Sequence, residues 1–261
     1  MIRSLWTAAS GMTAQKINMD VISNNLANVN TSGFKKSRAD FEDLLYQNLK
    51  SPGADTSSGG QIPTGIQIGM GTRYSSVQKI FTQGDSVQTG NQLDLAISGN
   101  GFFKVVNNNG DEVYTRAGSF QLDSEGYLVT SQGDRLQPEV AIPSNSASFT
   151  IDSSGALEAF DESGETTATS QLTITNFINP AGMRSLGGNY FSPTDASGDP
   201  VEGNPEVDGL GSIIQGSLEM SNVDVVEEMV NMIASQRAYE ISSKSIKSAD
   251  EMMQMANNIK R

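Results

Sequence analysis

The sequence predicts an α+β protein with a long helix at each end and a mainly β domain between them. Residues 1–32 contain one glycine and no proline, and residues 217–261 contain neither. The residues between them hold the other 25 glycines and all eight prolines. Because glycine and proline disfavour helix interiors, the two ends are predicted to be helical and the middle to consist of strands and turns.

The first helix is predicted over Ser4–Asn28 and carries an apolar stripe. Its members recur at seven-residue intervals, with one further residue widening the stripe: Leu5, Met12, Met19, Leu26 and Ile22. A repeat of about 3.5 residues keeps one edge of a helix against a partner. Gly33, in the left-handed conformation, is expected to help close the helix.

Asparagines are concentrated where this helix is predicted to end, at positions that include Asn24, Asn25 and Asn28. Asparagine side chains hydrogen-bond backbone groups at helix ends. The same side chains are equally suited to hydrogen bonds between copies of the chain, where the helix turns into the β part. The sequence favours neither explanation.

The second helix is predicted over Asp224–Lys260, where Asp224 and Glu227 have the spacing of a capping box. Its apolar stripe consists of Val226, Val230, Ile233, Ile241, Met252 and Ile259. The two stripes are natural partners for each other, in a hairpin within one chain or among many chains. With Ala9, Ala238, Ala249 and Ala256 beside them, the stripes are poor in Leu and rich in Ala and Met, which favours adaptable packing among many helices.

A connecting segment is predicted over residues 35–72. Its centre, residues 51–60, is a loop by composition. Apolar side chains flank this loop, namely Tyr46, Leu49, Ile62, Ile66 and Ile68. An extended hairpin and a flexible linker both fit, and composition slightly favours the linker. The predicted domains are therefore residues 1–34 together with 222–261 (helical), 35–72 (connecting) and 73–221 (β-rich).

The β-rich domain is predicted to contain short strands separated by glycine turns, which supply the positive φ angles of hairpins. The strands are Asp94–Ile97, Gly101–Val106, Glu112–Ala117, Ser119–Leu122, Tyr127–Thr130, Gln171–Ile178 and Asn189–Phe191, with Ile213–Met220 leading to the last helix. The segment Ser119–Leu128 recurs as Ser148–Leu157, so each is predicted to be a hairpin with an Asp-Ser-x-Gly turn. One such turn offers too few oxygens for calcium, and turn chemistry explains the aspartates better.

Composition excludes several function classes. The chain has neither cysteine nor histidine, which removes disulfides, thiolate ligands and imidazole chemistry; no cofactor or metal is expected. The net charge is −13, and residues 39–220 carry −16 of it, which argues against nucleic acid or anionic lipid as partner. The first residues lack an apolar run long enough for a secretory signal or membrane span. Export would therefore need another route than a cleaved signal peptide.

Several motifs resemble those of flagellar rod and hook proteins. Ala8–Gln15 and Ser23–Lys35 resemble the N-terminal signature of that family, Gly99–Phe103 and Tyr114–Phe120 its β domain, and Ser221–Asp224, Glu228–Ile233 and Gln236–Glu240 its C-terminal signature. The resemblance covers nearly the whole chain in order. Within the family, Met1–Trp6, Phe41–Tyr46 and the insertion through about residue 68 look most like the distal rod.

The resemblance implies a structural subunit that assembles helically with copies of itself into a hollow shaft across the periplasm. The shaft transmits torque and conducts exported proteins, the helices lining its inner wall and the β domain facing outward. The implied partners are proximal rod proteins, the hook protein, the outer-membrane and peptidoglycan ring proteins, the rod cap and the flagellar type III export apparatus. A proximal rod or hook subunit is the alternative within the family.

The sequence leaves two other function classes open. A glycan hydrolase needs two carboxylates across a pocket, and the acidic pairs Asp161/Glu162 and Asp111/Glu112 supply carboxylates. Both pairs lie in predicted turns, where a solvated surface explains them better. A cell-wall-binding module is the third class. The structural subunit is the interpretation that the motifs favour.

Overall fold

A computed structural model of the chain describes residues 2–50, 64–107, 109–143 and 146–259. The chain divides into two compact units, each assembled from separated segments. The first comprises Met1–Leu26, Ser37–Gln78 and Asp224–Arg261; the second comprises Ala27–Lys36 and Lys79–Val223. Two terminal helices and a mainly β centre confirm the α+β prediction.

The first unit combines both helices with two pairs of strands. Its elements are α1 (Ile2–Ala27), β1 (Ser37–Asp43), β2 (Tyr46–Lys50), β3 (Ile66–Gly69), β4 (Thr72–Lys79) and α2 (Val225–Ile259). β1 pairs with β4, and β2 pairs antiparallel with β3. The predicted loop over residues 51–60 and the side chain of Ile62 lie outside the described residues.

The helix ends fall close to the predicted ones, and local chemistry explains the start of α2. The Asp224 side chain accepts hydrogen bonds from the backbone N–H groups of Val226 (2.8 Å) and Glu227 (3.1 Å). Asp224 is therefore the N-cap, as its sequence context predicted. In the described part of the chain, no helix is long and apolar enough to cross a membrane.

The two helices run antiparallel and meet through small and polar side chains. Asn25 Nδ2 lies 3.3 Å from Glu228 Oε2, and Asn18 Nδ2 donates to Ser235 Oγ at 2.8 Å. Farther along, Gly11 faces Ser242, whose Oγ is 3.6 Å from where a Cβ at Gly11 would lie. Since the partners step by seven residues along each helix in opposite directions, these contacts form one continuous seam.

Among the described residues, the second unit has sixteen short strands and one turn of 3-10 helix, Pro180–Gly182. The strands are β5 (Ser86–Gln88), β6 (Leu95–Ser98), β7 (Phe103–Val106), β8 (Glu112–Thr115), β9 (Phe120–Leu122), β10 (Leu128–Thr130), β11 (Arg135–Gln137), β12 (Ser148–Ile151), β13 (Ala156–Phe160), β14 (Thr166–Gln171), β15 (Ile174–Asn176), β16 (Arg184–Gly187), β17 (Tyr190–Ser192), β18 (Val201–Gly203), β19 (Ser212–Gln215) and β20 (Ser217–Glu219).

The largest sheet has seven strands in the order β16-β17-β8-β7-β11-β10-β9. A three-stranded sheet, β12-β13-β14, and the pairs β15-β18, β19-β6 and β20-β5 complete the unit. The main core is aliphatic, with Leu95, Val105 and Ile174 fully buried in it. A second cluster is aromatic and is built around Phe102 and Tyr114.

The predicted strand over Ile213–Met220 is divided in two. Gly216 adopts a positive φ of 74° and separates β19 from β20. Its N–H donates to Asp94 O at 2.8 Å, and its carbonyl accepts from Thr89 N at 2.8 Å. The chain therefore changes partner at this glycine, since β19 pairs with β6 and β20 with β5. The pattern of apolar residues in the sequence does not show such a change of strand partner.

The repeated Asp-Ser-x-Gly sequences form the same turn. Gly126 N donates to Asp123 O and Gly155 N to Asp152 O, each at 2.9 Å. In both turns the aspartate side chain accepts from the next backbone N–H, which explains the aspartates as turn residues. A third copy of the turn is present, in which Gly164 N donates to Asp161 O at 2.9 Å. It was not predicted, because its second residue is Glu rather than Ser.

A buried ion cluster joins three distant parts of the chain within the second unit. Glu219 Oε1 lies 2.5 Å from Lys35 Nζ, and Glu219 Oε2 lies 3.2 Å from Arg116 Nη1. All three side chains are at most 3% exposed. Burial lowers the pKa of Lys35, and the adjacent Glu219 carboxylate opposes that shift. We call these three residues the buried triad.

Backbone groups complete the surroundings of the buried triad. Arg116 Nη2 donates to Gly99 O at 2.7 Å, and Gly84 N donates to Glu219 Oε1 at 3.0 Å. Gly33 has a φ of 70°, as its position after the helix predicted, and its N–H donates to Glu219 O at 2.8 Å. A Cβ at Gly33 would lie 2.5 Å from Ala117 N, so this close approach requires glycine.

We expect Glu219→Gln to destabilise the second unit by about 3–5 kcal/mol, because two buried cations would lose the carboxylate that they share. Urea unfolding followed by far-UV circular dichroism measures the change in the free energy of unfolding. Glu162→Gln removes the same charge from an exposed turn position and should change stability by less than about 0.5 kcal/mol. Equal stability of the two variants would contradict the structural importance of the triad.

Candidate assembly surfaces

The apolar stripe of α2 lies on the solvent-exposed face of that helix. Val226 is 72% exposed, Val230 60%, Ile233 50%, Ile241 64% and Met252 47%. The residues of α2 that meet α1 are others, namely Glu228, Ser235 and Ser242. We expected the two stripes to be natural partners for each other; in one chain the stripe of α2 faces away from α1 instead. The side chain of Ile259, the last predicted member, lies outside the described part.

The predicted stripe of α1 is more covered than that of α2. Ile22 is buried, whereas Leu5, Met12, Met19 and Leu26 are half-buried. Counted around the helix, these four lie to one side of the line through Gly11, Asn18 and Asn25 that faces α2. The sequence shows which side chains of each helix are apolar, but not which face of each helix contacts the other. The apolar residues and the residues at the contact both recur every seven positions.

The three candidate asparagines have different surroundings. Asn25 is buried, and its side chain hydrogen-bonds both the N–H and the carbonyl of Ser37 at 2.9 Å, besides Glu228. It therefore ties the end of α1 to the start of β1 within the chain. The half-buried Asn28 accepts from Thr31, through its side chain at 3.3 Å and its carbonyl at 3.2 Å. Asn24 is exposed.

The pair β2 and β3 presents apolar side chains to solvent. Tyr46, Leu49 and Ile66 are each more than half exposed, and Ile68 is also exposed. Tyr46 stands opposite Gly69, and Gln47 opposite Ile68, in antiparallel register. A hydrogen bond to the Asp43 carboxylate raises the pKa of the Tyr46 phenol. We refer to β2 and β3 together as the strand pair.

The strands leading to the strand pair are attached to α1, a feature that the sequence analysis did not find. Thr72 N donates to Ser10 Oγ at 3.3 Å, and Gly71 approaches the same serine so closely that a Cβ would collide with it. Leu44 N donates to Gly71 O at 2.9 Å across β1 and β4. The φ of Gly71, 115°, is the special backbone angle that glycine provides there.

The acidic pairs do not form a catalytic arrangement. Asp161 and Glu162 lie in the third Asp-x-x-Gly turn, where the Asp161 side chain accepts from Glu162 N at 2.8 Å. Glu112 pairs with Lys104 at 2.7 Å on the surface. Among the residues that the structure describes, no group of three or more acidic side chains is arranged to hold a metal ion.

Three family patterns match the chain at separate places. "Flagella basal body rod protein" matches residues 5–35, "Flagellar hook protein FlgE/F/G D1 domain" residues 96–159, and "Flagellar basal body rod FlgEFG protein C-terminal" residues 214–259. Each match contributes one residue of the buried triad: Lys35, Arg116 and Glu219 respectively. The motifs that are separated in sequence therefore meet at one buried site.

Whole proteins match as well. The chain is 48% identical over 264 residues to the "Flagellar basal-body rod protein FlgG" of Borreliella burgdorferi, with all of both chains covered. It is 48% identical over 261 residues to the protein of that name from Buchnera aphidicola, covering 99% of this chain and all of the relative. The relative of the same name from Bacillus subtilis is 38% identical, with both chains covered completely. These similarities show that the chain belongs to the family of flagellar basal-body rod proteins.

Proposed function

We propose that the chain is a structural subunit of the flagellar distal rod, which polymerises helically with copies of itself into a hollow shaft. The shaft transmits torque and conducts exported proteins. The observation that carries the proposal is the exposed apolar stripe of α2, from Val226 to Met252. When a neighbouring copy covers such side chains, the free energy falls by about 25 cal/mol per Å² of apolar surface buried.

The polar seam between α1 and α2 complements this role. Its contacts, such as Asn18 with Ser235, are ones that water also satisfies. The apolar side chains of α2 are therefore not buried against α1 and remain available for contacts with neighbouring copies. On this proposal the helices of residues 1–34 and 222–261 form the inner wall, and the β-rich residues 73–221 face outward.

Family membership suggests further partners and a location. We propose contacts with proximal rod proteins, the hook protein and the rod cap along the shaft, and with the outer-membrane and peptidoglycan ring proteins around it. The rod would span the periplasm, and its subunits would leave the cell through the flagellar type III export apparatus without a cleaved signal peptide. The relatives are named for the basal-body rod, which favours this role over a hydrolase or a wall-binding module.

We also propose that the strand pair stiffens the rod. Its root is fixed to α1 through Ser10, Gly71 and Thr72, so a force on the strands is transmitted to the helical wall. Apolar side chains on the strands, among them Leu49 and Ile66, are exposed in the single chain. Wedged against the next subunit along the axis, they would resist the compression and extension that bending requires.

We expect Ile233→Asp to block polymerisation and to leave the monomer folded. Ile233 is half exposed in the single chain, so a carboxylate is tolerated there, but a packed interface would bury it at a cost of several kcal/mol. Sedimentation and electron microscopy measure polymer, and circular dichroism measures the monomer fold. Gln236→Asp, at an exposed site off the stripe of the same helix, is the matched control. Normal filaments from Ile233→Asp would exclude the stripe as an interface.

In the soluble monomer, we expect the amides of α1 and α2 to exchange with solvent far faster than those of the seven-stranded sheet. Isolated helices are marginal without apolar packing, and contacts between these two include the polar pairs Asn18–Ser235 and Asn25–Glu228. Hydrogen exchange with mass spectrometry, before and after polymerisation, measures this difference. Polymer should protect both helices, whereas strong protection of both in the monomer would show that they are already stable without neighbours.

Removal of the strand pair should make filaments bend more easily. We would replace Asn48–Gln67 with Asn-Gly, because Gln47 and Ile68 are partners across the strands and a two-residue turn can join them. Bending stiffness is measured from filament curvature in electron micrographs. A control variant, Gln47→Ser, alters an exposed polar residue of the same strand. Filaments that stay as straight as the parent would show that the strand pair is no brace.

A further inference from the structure

A cavity of about 370 Å³ opens at the surface of the second unit beside the aromatic cluster. Its lining includes Phe81, Phe102, Phe177, Ile178, Pro180 and Arg116. Ile178 is 87% exposed, and Phe102 is buried beneath the guanidinium group of Arg116, whose Cζ lies 5.3 Å from the ring centroid. The cavity therefore combines an apolar mouth with a cationic wall.

The buried triad behind this wall carries more positive than negative charge. Two cations, Lys35 and Arg116, share the single carboxylate of Glu219. Arg116 is 3% exposed, and its Nε has no hydrogen-bond partner within the described residues. Lys79 lies nearby, with its Nζ 5.9 Å from the ring centroid of Phe191, which in turn contacts Phe102. A ligand that brings a negative charge and an apolar side chain would complement both features.

The first unit carries a feature of that chemistry at the bend between β1 and β2. Leu45 is 88% exposed, and with Ile178 it is one of the two most exposed large apolar side chains in the described part of the chain. Asp43, two residues earlier, is exposed as well. The bend is held in place by the hydrogen bond from Leu44 N to Gly71 O, so Leu45 projects from an ordered support.

We propose that the bend at Asp43–Leu45 of one copy docks into the Ile178 cavity of a neighbouring copy. Leu45 packs against Ile178 and the aromatic mouth, and the Asp43 carboxylate faces the excess positive charge behind it. The proposal rests on the proposed function, because it requires copies of the chain to assemble. The contact joins two different surfaces, which is the head-to-tail type that generates open helical polymers.

The absence of cysteine from the chain permits a direct test. Filaments are grown from an equal mixture of Leu45→Cys and Ile178→Cys subunits and oxidised, and disulfide-linked dimers are sought on a non-reducing gel. The mixture should give dimers, because a close pair of cysteines can form a disulfide. Filaments of either variant alone should give none. As the matched control, Val207→Cys replaces Ile178→Cys at another exposed apolar site of the same unit and should give none with Leu45→Cys.

Affinity gives a second readout. Leu45→Ser and Asp43→Lys should each raise the critical concentration for polymerisation about five- to tenfold, as expected when an interface anchor or its charge is lost. Val207→Ser should leave the critical concentration unchanged. Filaments that form without mixed dimers, or dimers from Ile178→Cys alone, would overturn the docking. Failure of the unaltered chain to polymerise at all would instead count against the proposed function.

Discussion

The shared carboxylate of Glu219 is the constraint on which the rest of the structure depends. It sits between Lys35, which follows the first helix, and Arg116, in the β-rich centre, while Glu219 itself precedes the last helix. A buried charge without its partner is costly, so all three segments must reach the same place. Lys35 and Glu219 therefore meet within the second unit, although more than 180 residues separate them along the chain.

Polar and apolar side chains of the two helices have different positions. Within one chain, α1 and α2 meet through Asn, Ser, Gly and Glu. The branched residues of α2, such as Val226 and Ile241, remain on the outside. A globular monomer would normally bury them. Their exposure is consistent with the proposed assembly of the chain with copies of itself.

Much of this fold was predictable from the sequence, because many of its signals are local. Contacts between residues that are distant in sequence were not predictable. Asp224 marked the start of α2, and the glycine turns marked the hairpins, because both signals are local. The direction in which α2 faces α1 was missed, since a seven-residue repeat of apolar residues does not say which face a partner covers. Lys35 gave no sign of burial, because its partners Arg116 and Glu219 are distant in sequence. The attachment of Gly71 to Ser10 was hidden for the same reason.

The seven-residue spacing of the helix seam has a mechanical consequence. If α2 slid along α1 by seven residues, about 10 Å, Ser235 would come opposite Asn25 and Ser242 opposite Asn18. At these positions polar groups would again meet polar groups. The junction at Asn25, which holds Glu228 and both backbone groups of Ser37 at once, distinguishes the two alignments. The contacts of Asn25 therefore fix the register of the two helices at the end of the seam where α1 leads into β1.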